Sequence, residues 1–320
     1  MIAPRWEQTT CDWCGSNESE LLFEGPDRLM RLPGQFRMVR CCQCGLMRQN
    51  PCLAWESLKD YYPEDYVSHI PLIREEPSRL RRLDRRYGMW KQVRAVEQFQ
   101  RGGRLLDVGC GTGIFLEEVL RSRRWQVVGI EPTERAAAYA RAALQVEIHP
   151  GRFSEVALAA NSFDVITLWH VLEHLDHPIA DLQHAHQLLK ENGWLIFAIP
   201  NIEGLEAHIF GPYWVGWDLP RHLYQFPHST LRTILKSLGF DWVATRRISM
   251  THALLGNSLE FWCQSWNPRY QAPARRLLQL YRSFPARVGL GLPLWILDRL
   301  NLSSVVTIFA RKVSSSQTVS

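Results

Sequence analysis

The chain has 320 residues, enough for about two domains at roughly 150 residues each. An apolar share of 46% and a charged share of 22% exclude global disorder. Lys plus Arg number 37 against 32 Asp plus Glu, a net charge of +5, which is too mild to announce a nucleic-acid partner.

Five of the basic residues are Lys and 32 are Arg. Arg suits bidentate anion contacts, and is also what a GC-rich genome encodes. No uncharged apolar run reaches the roughly 18 residues of a transmembrane helix. The start, Met1-Ile2-Ala3-Pro4-Arg5-Trp6-Glu7, lacks the apolar core of a signal peptide. A cytoplasmic chain is therefore expected, with its cysteines as thiols or metal ligands rather than disulfides.

Six of the eight cysteines fall in the first 52 residues. Cys11-Asp12-Trp13-Cys14-Gly15 and Cys41-Cys42-Gln43-Cys44-Gly45 are two C-x-x-C-G units. Each places two sulfurs on one tight turn, and the glycine permits the positive φ that turns backbone N–H groups toward sulfur. Four thiolates, from Cys11, Cys14, Cys41 and Cys44, make a closed tetrahedral structural zinc site. Cys42 competes with Cys41, but only Cys41 gives the x-x spacing. Cys52, Cys110 and Cys263 read as ordinary buried cysteines. A zinc ribbon is thus expected over 1–54, and a connector over 55–77, broken by Tyr61-Tyr62-Pro63 and Ile70-Pro71.

From 78 to 100 the pattern is helical. Leu80, Leu83, Tyr87, Trp90 and Val93 recur every three or four residues. Arg81, Arg82, Arg85 and Arg86 fall largely on the other face and are expected in solvent. After Gly102-Gly103, strands are expected at 104–108, 126–130, 146–149, 163–169, 194–199, 240–248 and 304–311. Helices are expected at 114–123, 134–144, 179–190 and 229–238, the last capped by Ser229 with Gly239 beyond its end. Residues 251–303 form a helical insertion before the last strand, and 312–320 a frayed tail. The alternation predicts an α/β fold, an open, mostly parallel sheet with helices on both faces.

Leu105-Leu106-Asp107-Val108-Gly109-Cys110-Gly111-Thr112-Gly113 joins the first strand of this set to its helix, where glycines let backbone approach a ligand. The spacing is G-x-G-x-G, whereas a dinucleotide fingerprint wants its third glycine at 114. Glu131 ends the next strand, 20 residues after Gly111, where a carboxylate can accept both hydroxyls of an adenosyl ribose. Together these residues resemble the class I S-adenosylmethionine-dependent methyltransferases. Asp107, Gly109, Gly111, Gly113 and Glu131 match that family's pattern, as do Ser162-Phe163-Asp164-Val165-Ile166 and Leu188-Leu189-Lys190-Glu191-Asn192-Gly193-Trp194-Leu195. The resemblance covers about 80–250. It implies a doubly wound, seven-stranded Rossmann-like sheet that binds S-adenosylmethionine, with Cys110 and Pro132 also lining the site. It also places Trp169 and His170, in Trp169-His170-Val171-Leu172-Glu173-His174-Leu175, beside the cofactor's methionine part. Glu173 and His174 read either as a structural hydrogen-bonded pair or as catalytic groups.

Cys44-Gly45-Leu46 through Tyr61-Tyr62-Pro63-Glu64-Asp65-Tyr66, and Phe210-Gly211 through Trp217-Asp218-Leu219-Pro220-Arg221-His222-Leu223-Tyr224, resemble methyltransferases of bacterial polysaccharide gene clusters. That resemblance implies a sugar acceptor. Nearly thirty residues after Pro200 carry Tyr213, Trp214, Trp217, His222 and Tyr224, a long βα connection. They read as an aromatic carbohydrate surface or as a lid over the cofactor. A sugar hydroxyl benefits from a general base, most often His. His222 is the first candidate, then His170 and His174, and Arg221 is a candidate anchor for a substrate anion.

The expected activity is O-methylation of a sugar hydroxyl in glycan or nucleotide-sugar metabolism. RNA or another small molecule as acceptor, and a non-catalytic binding protein, are the alternatives. Over 251–303, an uncharged run at 288–297 lies among Arg275, Arg276, Arg282, Arg287 and Arg299. It reads either as a peripheral contact with the inner face of a membrane, suited to a lipid-linked acceptor, or as packing on the sheet or in a homodimer.

Overall fold

The computed structural model describes residues 4–63, 71–248, 251–281, 283, 289 and 303–313. The chain divides into two compact units. One gathers Met1–Tyr61, Pro200–Leu231 and Ser249–Val306; the other gathers Tyr62–Ile199, Arg232–Ile248 and Thr307–Ser320. These boundaries cut across the expected ones, because the cysteine knuckles, the aromatic segment and the insertion fall in one unit.

The first unit opens with β1 (Trp6–Glu7), β2 (Ser19–Gly25), β3 (Phe36–Cys41), β4 (Met47–Gln49), β5 (Cys52–Leu53) and a single turn, α1 (Trp55–Leu58). The second contributes α2 (Arg79–Glu97), β6 (Gly103–Val108), α3 (Ile114–Leu120), β7 (Trp125–Glu131), α4 (Glu134–Leu144), β8 (Glu147–Pro150), β9 (Phe163–Trp169), α5 (Pro178–Leu188) and β10 (Leu189–Pro200). The chain continues through α6 (Leu205–Phe210), β11 (Tyr224–Gln225), α7 (His228–Ser237), β12 (Phe240–Arg246), α8 (Thr251–Gln264), α9 (Pro268–Tyr281) and β13 (Val305–Lys312).

The second unit is built on a seven-stranded sheet of order β12-β13-β10-β9-β6-β7-β8. The pairs β8/β7, β7/β6, β6/β9 and β9/β10 are parallel, and β12/β13 is antiparallel. Continuous apolar runs make the central strands, as expected for strands covered on both faces. Leu105, Val165 and Ile196 are fully buried there with Phe115, Leu116, Ala137 and Ala140 of α3 and α4. The chain leaves β6 in one direction toward β7 and β8, and β9 and β10 lie on the other side. The carboxyl end of β6 is therefore a topological switch point, where such sheets bind ligands.

Two boundaries differ from expectation for identifiable reasons. α5 stops at Leu188 because Leu189 already pairs with Phe163 of β9, ahead of an irregularity that ends at Trp194. α7 begins at His228, so Ser229 sits inside its first turn, and the carbonyl of Pro227 accepts the Leu231 N–H. Gly239 follows that helix at φ +80°, as expected.

α2 inverts its expected orientation. Leu80, Leu83, Tyr87 and Trp90 are exposed, and of the four arginines expected in solvent Arg81 is exposed while Arg82, Arg85 and Arg86 turn toward protein. Arg82 donates twice to the carbonyl of Glu76, Arg85 donates to the Glu76 carboxylate and the Pro71 carbonyl, and Arg86 lies 3.8 Å from Glu118. Only the last turns, through Val93, Ala95 and Val96, enter the core.

In the first unit, β11, β4, β3 and β2 form a four-stranded sheet in that order. Tyr224 pairs with Arg48 and Gln225 with Met47, antiparallel, so the aromatic segment completes the sheet of the cysteine-bearing residues. Trp214, Trp217, Tyr224 and Phe226 are buried. They form core rather than the exposed aromatic surface expected for a carbohydrate. α8 and α9 supply the expected insertion, meeting through Cys263, Ala274 and Leu278. The run at 288–297 apart from Gly289, with Phe284, Arg282, Arg287 and Arg299, lies outside the described residues, as do the Arg275 side chain and the tail from 314.

Arg221 is fully buried and holds this unit together. Its guanidinium donates to Asp27 at 2.6 and 3.0 Å, to Asp218 at 2.6 and 3.1 Å, and to the carbonyls of Tyr61 and Leu219. Burial opposes the charge, but the two carboxylates outweigh it and raise the Arg221 pKa. Asp27 in turn accepts the N–H groups of Leu29, Met30 and Leu32. The expected role of Arg221 as a substrate anchor is corrected, because its donors are committed inside the protein. Arg221→Ala leaves two buried carboxylates uncompensated and should destabilise the protein by about 3–5 kcal/mol. Urea unfolding would measure this, and a loss below ~1 kcal/mol would contradict the assignment.

Candidate active site

The loop after β6 carries three glycines in the left-handed region, Gly109 (φ +68°), Gly111 (φ +55°) and Gly113 (φ +85°). A Cβ at Gly109 would lie 2.5 Å from Val171, and one at Gly113 the same distance from Leu144. Side chains are thus excluded on two counts, strain and space. The N–H groups of Gly109 and Cys110 both donate to the carbonyl of Ile130 on β7, which ties the loop to the adjacent strand.

Glu131, buried at the end of β7, completes that tie. One carboxylate oxygen accepts the Gly111 N–H at 2.8 Å, and the other accepts the Thr133 N–H at 2.9 Å. Thr133 precedes α4, so one side chain organises both the glycine loop and the next helix. Asp107 is buried near the end of β6 and accepts a 2.6 Å hydrogen bond from the Thr167 hydroxyl. Burial pushes its pKa up to about 7; the Thr167 bond opposes the rise and the nearby Glu131 charge adds to it. Thr167 escaped the sequence reading. Its signal was a lone hydroxyl in the apolar run of β9, in register with Asp107.

The end of β9 brings Trp169 and His170 to the same edge of the sheet. Trp169 stacks edge-on against Phe115 at 5.3 Å, and its indole N–H is buried with no hydrogen-bond partner among the described residues. His170 adopts φ +57°, its N–H donates to the Ala198 carbonyl, and its Nδ1 lies 3.5 Å from a carboxylate oxygen of the fully buried Glu173. Glu173 and His174 share a short helical turn, Leu172–His174, and a Glu173 carboxylate oxygen lies within 4.8 Å of a His174 ring nitrogen. Glu173 faces His170, and His174 Nδ1 meets the Tyr62 hydroxyl at 3.0 Å.

In the first unit, the sulfurs of Cys11, Cys14, Cys41 and Cys44 all lie within 4.8 Å of one another. Cys11 and Cys44 are 3.4 Å apart, and Cys14 and Cys41 3.5 Å. The two turns are alike. Gly15 donates to Cys11 and Gly45 to Cys41, and both glycines are left-handed, at φ +74° and +77°. Burial raises the Cys41 thiol pKa, but the N–H groups of Cys44 and Gln43 and the Cys14 thiol outweigh it and bring it to about 7. Cys42 is exposed and outside the cluster. His222 also belongs to this unit. It is buried, and its Nδ1 meets the Gly216 carbonyl at 2.7 Å.

A doubly wound parallel sheet with a glycine loop at its switch point and an acid ending the neighbouring strand defines a class I methyltransferase fold. A family described as methyltransferase domain matches residues 80–245, more than half of the chain, and the chain belongs to that family. The ubiquinone biosynthesis O-methyltransferase of Paracidovorax citrulli is 30% identical over 158 residues, 45% of this chain and 66% of that protein. The protein of the same name from Aromatoleum aromaticum is 30% identical over 165 residues, 49% of this chain and 65% of that one. The chain thus spans just under two thirds of the length of these relatives. A crystal structure of an S-adenosylmethionine-dependent methyltransferase from Archaeoglobus fulgidus aligns with a TM-score of 0.47 at 19% identity, covering 71% of this chain and 94% of that one.

The raised pKa of Asp107 sets a pH dependence. Between about pH 4 and 7 the folded chain keeps a proton on Asp107 that the unfolded chain has released. Stability from this group is therefore fully present below pH 4 and is lost as pH rises toward 7, by at most about 1.4 kcal/mol per pH unit. Asp107→Asn should flatten that descent in urea unfolding at pH 5 and pH 8. Parallel profiles for the two proteins would refute the assignment.

Proposed function

We propose that the chain is an S-adenosylmethionine-dependent O-methyltransferase whose acceptor is a sugar hydroxyl in glycan or nucleotide-sugar metabolism. The observation that carries the cofactor half is the buried Glu131 carboxylate, held by backbone N–H groups against a loop that only glycines can form. In this reading Asp107, Gly109, Cys110, Gly111, Gly113, Glu131, Pro132, Trp169 and His170 hold the cofactor. The unpartnered Trp169 N–H supports this, since a buried donor calls for an acceptor. The bound cofactor supplies a methyl group on a sulfonium. The protein's part is to align an acceptor oxygen with that carbon and to remove the hydroxyl proton.

Three histidines remain candidates for the base. His170 has an exposed ring whose Nδ1 faces Glu173, an arrangement that orients the ring. The His222 ring is fixed at Nδ1 by the Gly216 carbonyl, and its Nε2 lies 3.9 Å from the Asp218 carboxylate. His174 is engaged at Nδ1 by Tyr62. The sugar acceptor rests on the resemblance of the Leu46–Tyr66 and Phe210–Phe226 stretches to polysaccharide-cluster enzymes. A second reading, an acceptor of ubiquinone biosynthesis, is favoured by the names of the relatives at 30% identity.

Calorimetric titration with S-adenosylmethionine, followed by methyl transfer to nucleotide sugars and to ubiquinone precursors, tests both halves. Glu131→Ala should weaken cofactor binding by about 1–3 kcal/mol, the scale of lost charged hydrogen bonds. Unchanged affinity would remove Glu131 from the site. Transfer to ubiquinone precursors alone would replace the sugar reading, and absence of any binding would overturn the function.

We also propose that Cys11, Cys14, Cys41 and Cys44 hold a structural zinc ion. Zn–S bonds of about 2.3 Å in a tetrahedron set sulfurs about 3.8 Å apart, and the observed 3.4 and 3.5 Å pairs fit that cage. The site is closed, since four sulfurs leave no position for water. Elemental analysis should find one zinc per chain. Cys14→Ser should lose it and loosen the surrounding turns, because metal binding contributes folding energy. Protein with no zinc and all thiols titratable would refute the site.

A further inference from the structure

Among the described residues, none covers the outward apolar face of α2. Leu80 is 76% exposed, Leu83 62%, Tyr87 58% and Trp90 45%. These positions recur at three- and four-residue spacing, so they form one stripe along the helix. The stripe is held outward. On the opposite side Arg82 and Arg85 are anchored to Glu76 and Pro71, and Val93, Ala95 and Val96 are buried. Tyr87 and Trp90 stack at 5.7 Å, with Lys91 above Tyr87 at 5.2 Å and Arg94 above Trp90 at 6.0 Å.

Charge selects the partner. Arg79 and Arg94 are exposed beside the stripe and Lys91 is half-buried over it. α3, which lies against α2 through the Arg86–Glu118 pair, is followed by exposed Arg121, Arg123 and Arg124. The acids nearby are fewer; Asp84 is exposed on the same helix, and Glu97 and Glu118 are turned into contacts with Arg94, Arg124, Arg86 and Arg121. A second copy seated face to face on the stripe would bring like charges together, because a two-fold interface repeats the same patch on both sides. An anionic lipid surface instead meets the cations with phosphates and the Leu, Tyr and Trp side chains with acyl chains. Long basic side chains over aromatic rings are suited to that boundary. No described helix is long and apolar enough to cross a membrane, so the contact is peripheral.

We propose that the α2 stripe Leu80–Leu83–Tyr87–Trp90 with its basic border docks this protein on an anionic membrane surface. The proposal is independent of the acceptor and of the bound cofactor, so its failure leaves the proposed activity untouched.

The test is flotation of the full chain with vesicles of phosphatidylglycerol and phosphatidylcholine, against vesicles of phosphatidylcholine alone. The protein should float with the anionic vesicles only, and should sink as salt is raised. Leu83→Asp with Trp90→Asp should abolish flotation while leaving the thermal unfolding profile in place, since both side chains are exposed. Arg79→Glu and Lys91→Glu should each weaken binding by about fivefold or more. Three results would overturn the proposal. One is wild-type protein that stays at the bottom of the gradient at low salt. Another is flotation that survives Leu83→Asp with Trp90→Asp but is lost with Trp262→Asp and Trp266→Asp on α8. The third is a solution dimer that Leu83→Asp splits into monomers.

Discussion

A carboxylate excluded from water must be hydrogen-bonded or neutralised, and the two acids at the ends of β6 and β7 meet that demand in different ways. Glu131 takes two backbone N–H groups. Those bonds fix the chain on either side, the glycine loop before α3 and the entry to α4. Asp107 has only the Thr167 hydroxyl, and lies close enough to Glu131 for their charges to repel. It therefore holds its proton to about neutral pH. Side by side on neighbouring strands, one acid is a fixed acceptor for two backbone N–H groups and the other a group whose pKa is raised to about 7. Satisfying Glu131 engages Gly111 of the glycine loop and Thr133 at the entry to α4.

The sheet was legible because its signals are local. The residues 163–169 were read as a strand and form one, since an unbroken apolar run needs cover on both faces wherever it sits. The glycine loop and Glu131 were legible for a related reason, as their spacing carries the turn and the strand end together. The face of α2 was not legible. Periodicity marks which residues share a side but not which side is inward. Here the choice falls to the Glu76 and Pro71 carbonyls that capture Arg82 and Arg85. The aromatic segment misled for a similar reason. Trp214, Trp217 and Tyr224 have the faces a sugar would use, yet the first unit uses them as its core. Arg221 looked like an anion anchor, and it is one, but its anions are Asp27 and Asp218. Asp27, far away in sequence, carried no visible signal.

The first unit is assembled from pieces that are distant along the chain. Gln49 donates its amide to the carbonyls of Pro220 and His222, Thr230 donates to the carbonyl of Cys44, and Asn201 donates to Ser303. The cysteine turns are local, whereas the sheet beside them gains its fourth strand only from Tyr224–Gln225. The four-cysteine cluster and a late-arriving strand thus belong to one unit.

The pairing of β4 with β11 has a consequence for synthesis on the ribosome. Residues 47–48 find their hydrogen-bond partners at 224–225, and Arg221 reaches back to Asp27 across 194 positions. At roughly 5–20 residues per second, many seconds pass between the emergence of the two halves. During that interval β4 is an open sheet edge and Asp27 a carboxylate without its guanidinium. The cysteine turns, which close over a few residues, are then the part of this region able to order early. Nascent chains would therefore wait with a finished knuckle and an unfinished sheet, a state in which chaperone binding or an edge-to-edge encounter has its best opportunity.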